Sequence, residues 1–193
     1  MFHYLEIPFE DIRIKPENWQ EFKPTTPQGK LPFLEVDGNI LPQSYAIARY
    51  IARKYGLAGK SDFEQAQVDA LADFIQDVQY DDFAPYMYVM QGYEEGDKDQ
   101  LRKDSFLPAV KKNFTILVNF LKESKSGFFM PSGITWVDFA ISQYLDKVRR
   151  YDKDCFDDYP ELIDHIEMIH GLPKLQEYLK KRKDTLYHMG EQR

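Results

Sequence analysis

The sequence predicts a small α/β domain followed by a larger all-α domain. Up to about residue 60, short apolar runs alternate with turn signals, whereas from Phe63 onward apolar residues recur with a helical period almost throughout. We therefore expect an α/β domain over residues 1–58 and an all-helical domain over residues 61–187. A frayed polar tail is expected over residues 188–193.

Three strands are predicted in the first domain. Pro8–Ile14 is the first of them, and Leu31–Val36 and Asn39–Leu41 form a hairpin. The hairpin is predicted because Asp37 and Gly38, which lie between the two strands, supply the positive φ angles of a type I′ turn.

A helix is predicted to follow the hairpin. Ser44 is expected to be the N-cap of this helix, apolar side chains then recur at helical spacing as far as Tyr55, and Gly56 stands where a C-cap glycine is expected. The segment Leu57–Asp62 is predicted to be a linker between the two domains.

The second domain is predicted to contain five helices. Pro108 is expected to kink or split the second of them. Thr135 and Asp138 have the spacing of a capping box, which satisfies two backbone donors at the start of the third helix and has a structural role. The helices are expected over Phe63–Tyr80, Asp97–Lys122, Trp136–Arg149, Pro160–His170 and Pro173–Lys183.

The composition argues against several classes of protein and partner. The net charge of −7 and the pI of about 5.2 disfavour nucleic acid or an anionic membrane surface as partner. The single cysteine, Cys155, cannot form an internal disulfide, which predicts a cytoplasmic location. No apolar run approaches the roughly 20 residues of a membrane span, and the N-terminus lacks the pattern of a secretory signal.

The order of elements around the hairpin predicts a binding site for a small acidic peptide. The backbone at Lys30 and Leu31 precedes the first hairpin strand, and Gln43 and Ser44 open the helix after the second. An exposed strand backbone can pair with a peptide main chain, and a helix N-terminus can hold a carboxylate. Because the hairpin folds back on itself, the two features should lie on one side of the small sheet.

Together these segments resemble the cytosolic glutathione transferases, specifically the sigma class found in nematodes and other invertebrates. The resemblance covers about residues 5–187. It implies a thioredoxin-like N-terminal domain, glutathione as co-substrate, small electrophiles as acceptors, no metal requirement and a homodimer. It is carried by FEDIRI (Phe9–Ile14), ENWQEFKP (Glu17–Pro24), GKLPFLEVDG (Gly29–Gly38), QSYAIARYIARKYGLAGK (Gln43–Lys60) and SGITWVDF (Ser132–Phe139).

The resemblance implies roles in glutathione binding for a set of residues. Leu31, which precedes a cis-proline at Pro32, would pair its N–H and C=O with the cysteinyl backbone. Gln43 and Ser44 would bind the γ-glutamyl carboxylate, and Asp77 would reach the γ-glutamyl ammonium across a dimer. The remaining positions are Trp19 and Lys23, which would hold the glycyl end, and Gly29 and Lys30, which complete the loop.

Other features of the family concern metal binding and assembly. Asp69, Asp73 and Asp77 fall at i, i+4 and i+8, on one face of the first long helix. Whether this acidic face binds a metal is left open by the sequence. Phe33 and Tyr45 are expected at the dimer interface by resemblance.

The N-terminus departs from the family pattern. The family begins with a strand that ends in the catalytic tyrosine, followed by a helix, and neither has a counterpart here. Met1–Tyr4 matches the beginning of that strand, so Tyr4 matches an early strand tyrosine and the catalytic residue is unknown. Pro8–Ile14 is then expected either to pair directly with the hairpin or to leave the N-terminal segment loose. Tyr4 could replace the missing hydroxyl only if that segment folds inward.

Two functions of different classes follow. The first is conjugation of glutathione to electrophiles, and the alternative is a non-catalytic glutathione-binding or structural relative, as the lens crystallins related to this class are. Some relatives isomerise prostaglandins, but no residue here identifies that substrate. A thioredoxin-type redox function is disfavoured because Cys155 lies in the helical domain. An acceptor pocket is expected between the domains, lined by Phe83, Tyr86, Met87 and Met90, although aromatic and Met residues at this spacing are more often plain core.

Overall fold

A two-stranded antiparallel hairpin lies at the centre of the N-terminal domain. In the computed structural model, which describes residues 1–182, strand β1 (Phe33–Val36) pairs with strand β2 (Asn39–Pro42). The turn residues Asp37 and Gly38 have φ angles of 51° and 76°. Positive φ at both positions is what a type I′ turn requires, so the predicted hairpin is confirmed.

Three helices belong to the N-terminal domain. Helix α1 (Phe2–Leu5) and helix α2 (Trp19–Phe22) are single turns, and 3₁₀ turns flank the second of them. Helix α3 (Ser44–Tyr55) is the long one and buries Ile51 and Ala52. It ends at Gly56, whose φ of 79° suits glycine and whose N–H bonds to the Ala52 carbonyl, as the sequence predicts.

The predicted strand Pro8–Ile14 does not form. This segment has no regular secondary structure, and its apolar residues Phe9 and Ile12 are 43% and 70% exposed. A strand requires a partner backbone, and within residues 1–182 the two hairpin strands pair only with each other. The prediction that the segment would pair directly with the hairpin is therefore wrong.

The first residues also differ from the expected strand. They form helix α1, whose His3 ring stacks on Tyr178 with centroids 4.3 Å apart, while Tyr4 lies against Phe139 at 5.1 Å. Glu6 accepts from the Lys174 ammonium at 2.5 Å. The segment is neither a strand nor loose, because its aromatic side chains are packed on the helical domain.

The second domain consists of helices, as the sequence predicts. The predicted split of the long second helix is confirmed: a π turn, Arg102–Phe106, interrupts it, and Pro108 stands in the first turn of the part that follows. Another π turn, Val78–Asp82, ends the first helix. The helices are α4 (Asp62–Asp77), α5 (Ala84–Met90), α6 (Lys98–Leu101), α7 (Leu107–Ser124), α8 (Trp136–Tyr151), α9 (Pro160–His170) and α10 (Gln176–Lys181).

The core lies in the helical domain. Its members come chiefly from α4, α5, α7, α8 and α9, and no helix of residues 1–182 is long and apolar enough to cross a membrane. The predicted tail over residues 188–193 lies outside the described residues. The largest fully buried side chains are Trp136, Phe83, Phe106, Phe114, Phe129, Ile75, Leu117, Ile141, Leu145, Leu162, Ile166 and Ile169.

The predicted linker is packed rather than free. Leu57 and Ala58 are only 6% and 7% exposed, and the Leu57 carbonyl accepts from the Trp136 N–H at 2.9 Å. Burial of these apolar side chains removes their surface from water, so this segment holds the two domains together.

The capping box at the start of α8 is confirmed and extended by a third element. Asp138 Oδ2 accepts from the Thr135 N–H at 2.7 Å, and Asp138 Oδ1 accepts from the Phe129 N–H at 3.0 Å. His165 of α9 places its Nε2 at 3.0 Å from the same Oδ1. Asp138 and His165 are 0% and 3% exposed, so this carboxylate joins a loop and two helices inside the core.

A second buried carboxylate ends α8. Asp152 accepts two hydrogen bonds from Arg102, at 2.6 and 3.0 Å, and one from the Tyr86 hydroxyl at 2.8 Å. Its backbone carbonyl accepts from the Cys155 thiol at 3.1 Å. Burial is the main cause that raises the pKa of Cys155, and the Asp152 charge adds to it. The only thiol of the chain is therefore buried and protonated.

Candidate functional site

The N-terminus of α3 offers unpaired backbone donors. Ser44 is the first helical residue, it is exposed, and no side chain caps this end. The first N–H groups of a helix have no partner within the helix, and their partial positive charge favours an anion. A carboxylate placed here would accept these N–H groups and the Ser44 hydroxyl together.

Gln43, which precedes the helix, has an unusual backbone. Its φ and ψ are 75° and 117°, which lie outside the backbone regions that residues other than glycine favour. Such conformations cost about 1–3 kcal/mol and are found chiefly at functional sites. The backbone strain thus coincides with the residue that the sequence assigns to carboxylate binding.

The hairpin register brings Leu31 and Pro32 opposite this helix start. Phe33 pairs with Pro42 at the open end of the hairpin, so Pro32 and Gln43 are the next residues on its two arms. The Leu31–Pro32 peptide is cis, as expected. Within residues 1–182 no backbone partner satisfies the Leu31 N–H or C=O, and its side chain is 47% exposed. A peptide backbone could pair there as one further strand residue.

The loop before Leu31 is tied to the same site. Gln43 Nε2 donates to Gln28 Oε1 at 2.6 Å, which fixes the loop against the start of α3. Gly29 has a φ of 63°, and a Cβ at this position would lie 3.5 Å from Lys23 Cε. The Lys23 side chain therefore passes over Gly29. Gln28 was not predicted, since no sequence signal distinguishes it from other polar loop residues.

The other predicted contacts are less closely gathered. Trp19 is half-buried at the start of α2, and Lys30 is exposed beside Leu31. Asp77 is exposed near the end of α4 and has no hydrogen bond or ion pair with the rest of residues 1–182. Within residues 1–182, no side-chain hydrogen bond, ion pair or ring contact joins Trp19 or Asp77 to the Leu31–Ser44 region.

The acidic face of α4 is occupied by arginines of α3. Arg49 donates to Asp69 Oδ1 at 2.9 Å and to a carboxylate oxygen of Asp73, and Arg53 donates to Asp69 Oδ2 at 2.9 Å. Within residues 1–182, His, Cys, Asp and Glu side chains form no group of three arranged to hold a metal ion. Asp69 and Asp73 thus serve as ion-pair partners between two helices.

The predicted acceptor pocket is wrong. Phe83, Tyr86 and Met87 are 0%, 3% and 3% exposed and belong to the core. The rings of Phe83 and Tyr86 pack on Phe106, with centroids 4.9 and 4.3 Å apart. Met90, which is half-buried, packs against the same core. Helical spacing alone could not separate a core face from a pocket wall.

A cleft elsewhere in the helical domain does not suit glutathione. It has a volume of about 440 Å³ and lies between α5 and α6. Carboxylates dominate its polar lining, and none of the predicted glutathione contacts borders it. Since glutathione carries net negative charge, this lining disfavours it. The lining residues are Pro85, Val89, Glu94, Glu95, Gly96, Asp97, Gln100, Leu101, Asp104 and Ser105.

Two aromatic residues that the sequence assigns to a dimer interface have partners within the chain. Tyr45 packs edge-on against Trp136, with centroids 5.6 Å apart, and Phe33 lies parallel to Phe22 at 6.5 Å. Burial is the largest cause that raises the pKa of Tyr45 to about 12. Its phenol therefore stays neutral at physiological pH.

Comparison with known proteins identifies the family. The model of the glutathione S-transferase N-terminal domain matches residues 1–60, and that of the C-terminal domain matches residues 80–182. The chain belongs to the glutathione S-transferase family. It is 42% identical over 184 residues to probable glutathione S-transferase 6 of Caenorhabditis elegans, covering 95% of this chain and 89% of that protein.

Solved structures of parasitic nematode proteins share the fold. Monomeric Na-GST-3 of the hookworm Necator americanus matches with a TM-score of 0.89 at 38% identity, covering 96% of this chain and 90% of that one. A Nu-class glutathione S-transferase from Haemonchus contortus matches with a TM-score of 0.87, at the same identity and coverage. The packing of helices around the hairpin is therefore that of the family.

Proposed function

We propose that this chain binds glutathione and joins it, through its thiol sulfur, to small electrophiles. The observation that carries this proposal is the placement of Leu31, with its unsatisfied backbone before a cis peptide, opposite the free N-terminus of α3. Leu31 would pair with the cysteinyl backbone, while Gln43 and Ser44 would bind the γ-glutamyl carboxylate. Family membership supports the same reaction.

The glycyl end of glutathione would lie over the preceding loop. Lys23, whose side chain passes over Gly29, supplies a positive charge for the glycyl carboxylate. Trp19 would contribute its indole N–H and flat face, and Lys30 would complete the loop. These assignments place positive charge beside the carboxylate at each end of the tripeptide, from Lys23 at one end and from the N-terminus of α3 at the other.

The reaction requires the thiolate of glutathione. A free thiol has a pKa of about 8.5 and is roughly 3% ionised at pH 7. The thiolate attacks the electrophilic carbon, a carbon–sulfur bond forms, and the leaving group departs with the bonding electrons. A hydrogen-bond donor near the sulfur would favour the ionised form. Tyr4 packs on Phe139, so we assign no catalytic role to it.

Steady-state kinetics with glutathione and an aryl halide tests the enzymatic function. We expect the absorbance of the thioether product to rise faster than in the same mixture without protein. The rate should saturate with glutathione concentration, because the tripeptide occupies a defined site. A rate equal to the uncatalysed background would contradict the transferase function.

Replacing Ser44 by alanine is expected to weaken glutathione binding by about tenfold, the effect of losing one hydrogen bond to a charged group. Calorimetric titration with glutathione measures the change. Ser61→Ala is the matched control, because Ser61 caps α4 by accepting from the Glu64 N–H and lies outside the proposed site. An unchanged affinity in Ser44→Ala would remove Ser44 from the carboxylate contacts.

A second candidate is a glutathione-binding protein without turnover. The position of Tyr4 favours it, since that hydroxyl has no hydrogen bond to residues 1–182 and its ring packs on the helical domain. Calorimetry separates the candidates: saturable binding with a background conjugation rate supports the binding protein. Absence of any binding would contradict both.

We also propose a homodimer in which Asp77 completes the site of the partner subunit. Asp77 is exposed and unpaired within residues 1–182, and the family resemblance supports a role across the interface. Phe33 and Tyr45 would lie near that interface. Light scattering tests the proposal: a mass twice that of the chain supports it. A monomer, as in Na-GST-3, would remove the role of Asp77.

Four finer assignments are proposals of the same kind. We place the chain in the sigma class on the sequence runs that resemble it, such as Gln43–Lys60, although one structural neighbour is a Nu-class protein. We place the domain boundary between residues 58 and 61, and we infer that the first strand and helix of the family are missing. A cytoplasmic location is proposed because Cys155 is a lone buried thiol.

A further inference from the structure

Arg49 joins α3 to both of the long helices beside it. Its Nε donates to Asp69 Oδ1 at 2.9 Å, and its Nη2 donates to a carboxylate oxygen of Asp73, both on α4. The same guanidinium lies over Trp136 at the start of α8, with Cζ 5.4 Å from the ring centroid. This is a cation–π contact, so one side chain fixes three helices relative to one another.

These contacts are close to the candidate site along α3. Ser44 and Arg49 are five residues apart on one continuous helix, which is about one and a half turns. Tyr45, the neighbour of Ser44, packs edge-on against the same Trp136 ring, with centroids 5.6 Å apart. Any rotation of α3 against α4 and α8 therefore moves the backbone N–H groups at Ser44.

Arg53 provides a comparison one turn further along. It donates to Asp69 Oδ2 at 2.9 Å, but its side chain is 59% exposed, whereas that of Arg49 is 24% exposed. An exposed ion pair contributes little because water screens it. A planar guanidinium held by two carboxylates and an aromatic face has a fixed direction, which an ammonium cannot reproduce.

We propose that Arg49 is a positioning residue for glutathione binding, which aligns the N-terminus of α3 with the Leu31 backbone by fixing α3 against α4 and α8. The inference rests on the proposed function, because it concerns the same site. Arg49 itself would make no contact with glutathione. It acts through the orientation of the helix that does.

The test compares Arg49→Lys with the matched variant Arg53→Lys. Lysine keeps the charge but cannot donate in two directions or stack flat on Trp136. We expect Arg49→Lys to raise the Kd for glutathione about fivefold to tenfold, with the calorimetric stoichiometry unchanged. This is the effect of losing about one hydrogen bond to glutathione when α3 is misaligned. Arg53→Lys should stay within about twofold, as expected for a screened pair.

Kinetics gives a second readout. Arg49→Lys should raise the KM for glutathione while kcat and the KM for the aryl halide stay unchanged. Asp73→Asn removes the negative charge that Arg49 pairs with on this side, and because Asp73 is 65% exposed the variant should fold normally. We expect it to change the glutathione Kd in the same direction as Arg49→Lys.

The possible outcomes separate the inference from the proposed function. A merely structural role would lower the stoichiometry and kcat in proportion to the folded fraction and leave Kd unchanged, which would overturn the inference. Equal Kd values in Arg49→Lys and Arg53→Lys would overturn it as well. If the unsubstituted chain binds no glutathione, the proposed function fails and the inference falls with it. Binding by that chain with no Arg49 effect contradicts the inference alone.

Discussion

Replacing Asp152 by alanine is expected to lower the free energy of unfolding by about 3 kcal/mol, the lower end for removing one member of a buried ion pair. The Asp152 side chain is 4% exposed and accepts from Arg102 and the buried Tyr86 hydroxyl. The variant would leave both donors without their partner. The effect is at the lower end because Arg102 is 34% exposed and can still reach water.

Urea denaturation followed by far-ultraviolet circular dichroism measures this loss. Asp158→Ala is the matched control, because Asp158 lies in the same connection between α8 and α9, is exposed, and has no hydrogen bond or ion pair with the rest of residues 1–182. Its midpoint should stay close to that of the unsubstituted chain. An Asp152 variant as stable as the control would show that water replaces the carboxylate without cost.

The contribution of Asp152 should also depend on pH. Burial alone would raise the pKa of Asp152, but the hydrogen bonds from Arg102 and Tyr86 outweigh it and hold the pKa below its usual value. A carboxylate with a depressed folded pKa stabilises fully above its unfolded pKa of about 3.9 and loses that contribution as pH falls through the folded pKa. The stability gap to Asp152→Ala should therefore be constant near pH 6 and shrink below about pH 4.

Replacing Asp138 by asparagine is the second change with a large expected effect, a loss of about 3–5 kcal/mol. The two carboxylate oxygens accept from different backbone donors, Oδ2 from the Thr135 N–H and Oδ1 from the Phe129 N–H. Asparagine has one oxygen and one NH₂ group. In either orientation its NH₂ faces one of these donors, and a buried N–H loses its acceptor.

Thermal and urea unfolding of Asp138→Asn measures the effect, with two comparison variants. Asp164→Asn, on the exposed side of α9, changes the same functional group without a buried partner and should be nearly neutral. Thr135→Val removes only the capping hydroxyl and should cost about 1 kcal/mol. A smaller loss in Asp138→Asn than in Thr135→Val would contradict the central role of this carboxylate.

Elements with local signals were predicted from the sequence. Asp37 and Gly38 determined the hairpin because their backbone must adopt positive φ, and the structure has it. Gly56 marked the end of α3 correctly, and the capping box of Thr135 and Asp138 formed as its spacing indicates. The prediction that Ser44 caps α3 is wrong, because Ser44 is the first helical residue, Gln43 precedes it and no side chain caps this end. These signals depend on a few neighbouring residues, so they do not require the rest of the fold.

Elements that depend on distant partners were not predicted. Pro8–Ile14 has strand composition, but a strand forms only where a second backbone is available. Met1–Tyr4 resembles a strand and is instead part of a short helix packed on Phe139 and Tyr178. The aromatic spacing around Tyr86 is more often that of a core than of a pocket wall, and tertiary packing decides between them in favour of the core.

The candidate site was predicted in part for the same reason. Leu31 and Ser44 come together through the hairpin register, which the sequence determines. The Gln28–Gln43 hydrogen bond and the position of Arg49 between Asp69 and Asp73 depend on side-chain directions across elements. No local pattern specifies such directions.

The burial of Cys155 should protect the protein from alkylation by electrophiles. A protein that handles soft carbon electrophiles would be alkylated by them if it displayed a reactive sulfur. Here the thiol is enclosed and hydrogen-bonded to the Asp152 carbonyl, so the folded protein should not compete with glutathione for such compounds. Labelling of Cys155 by iodoacetamide should therefore occur only when the helical domain opens. Mass spectrometry measures the labelling rate, which would report how often the domain opens.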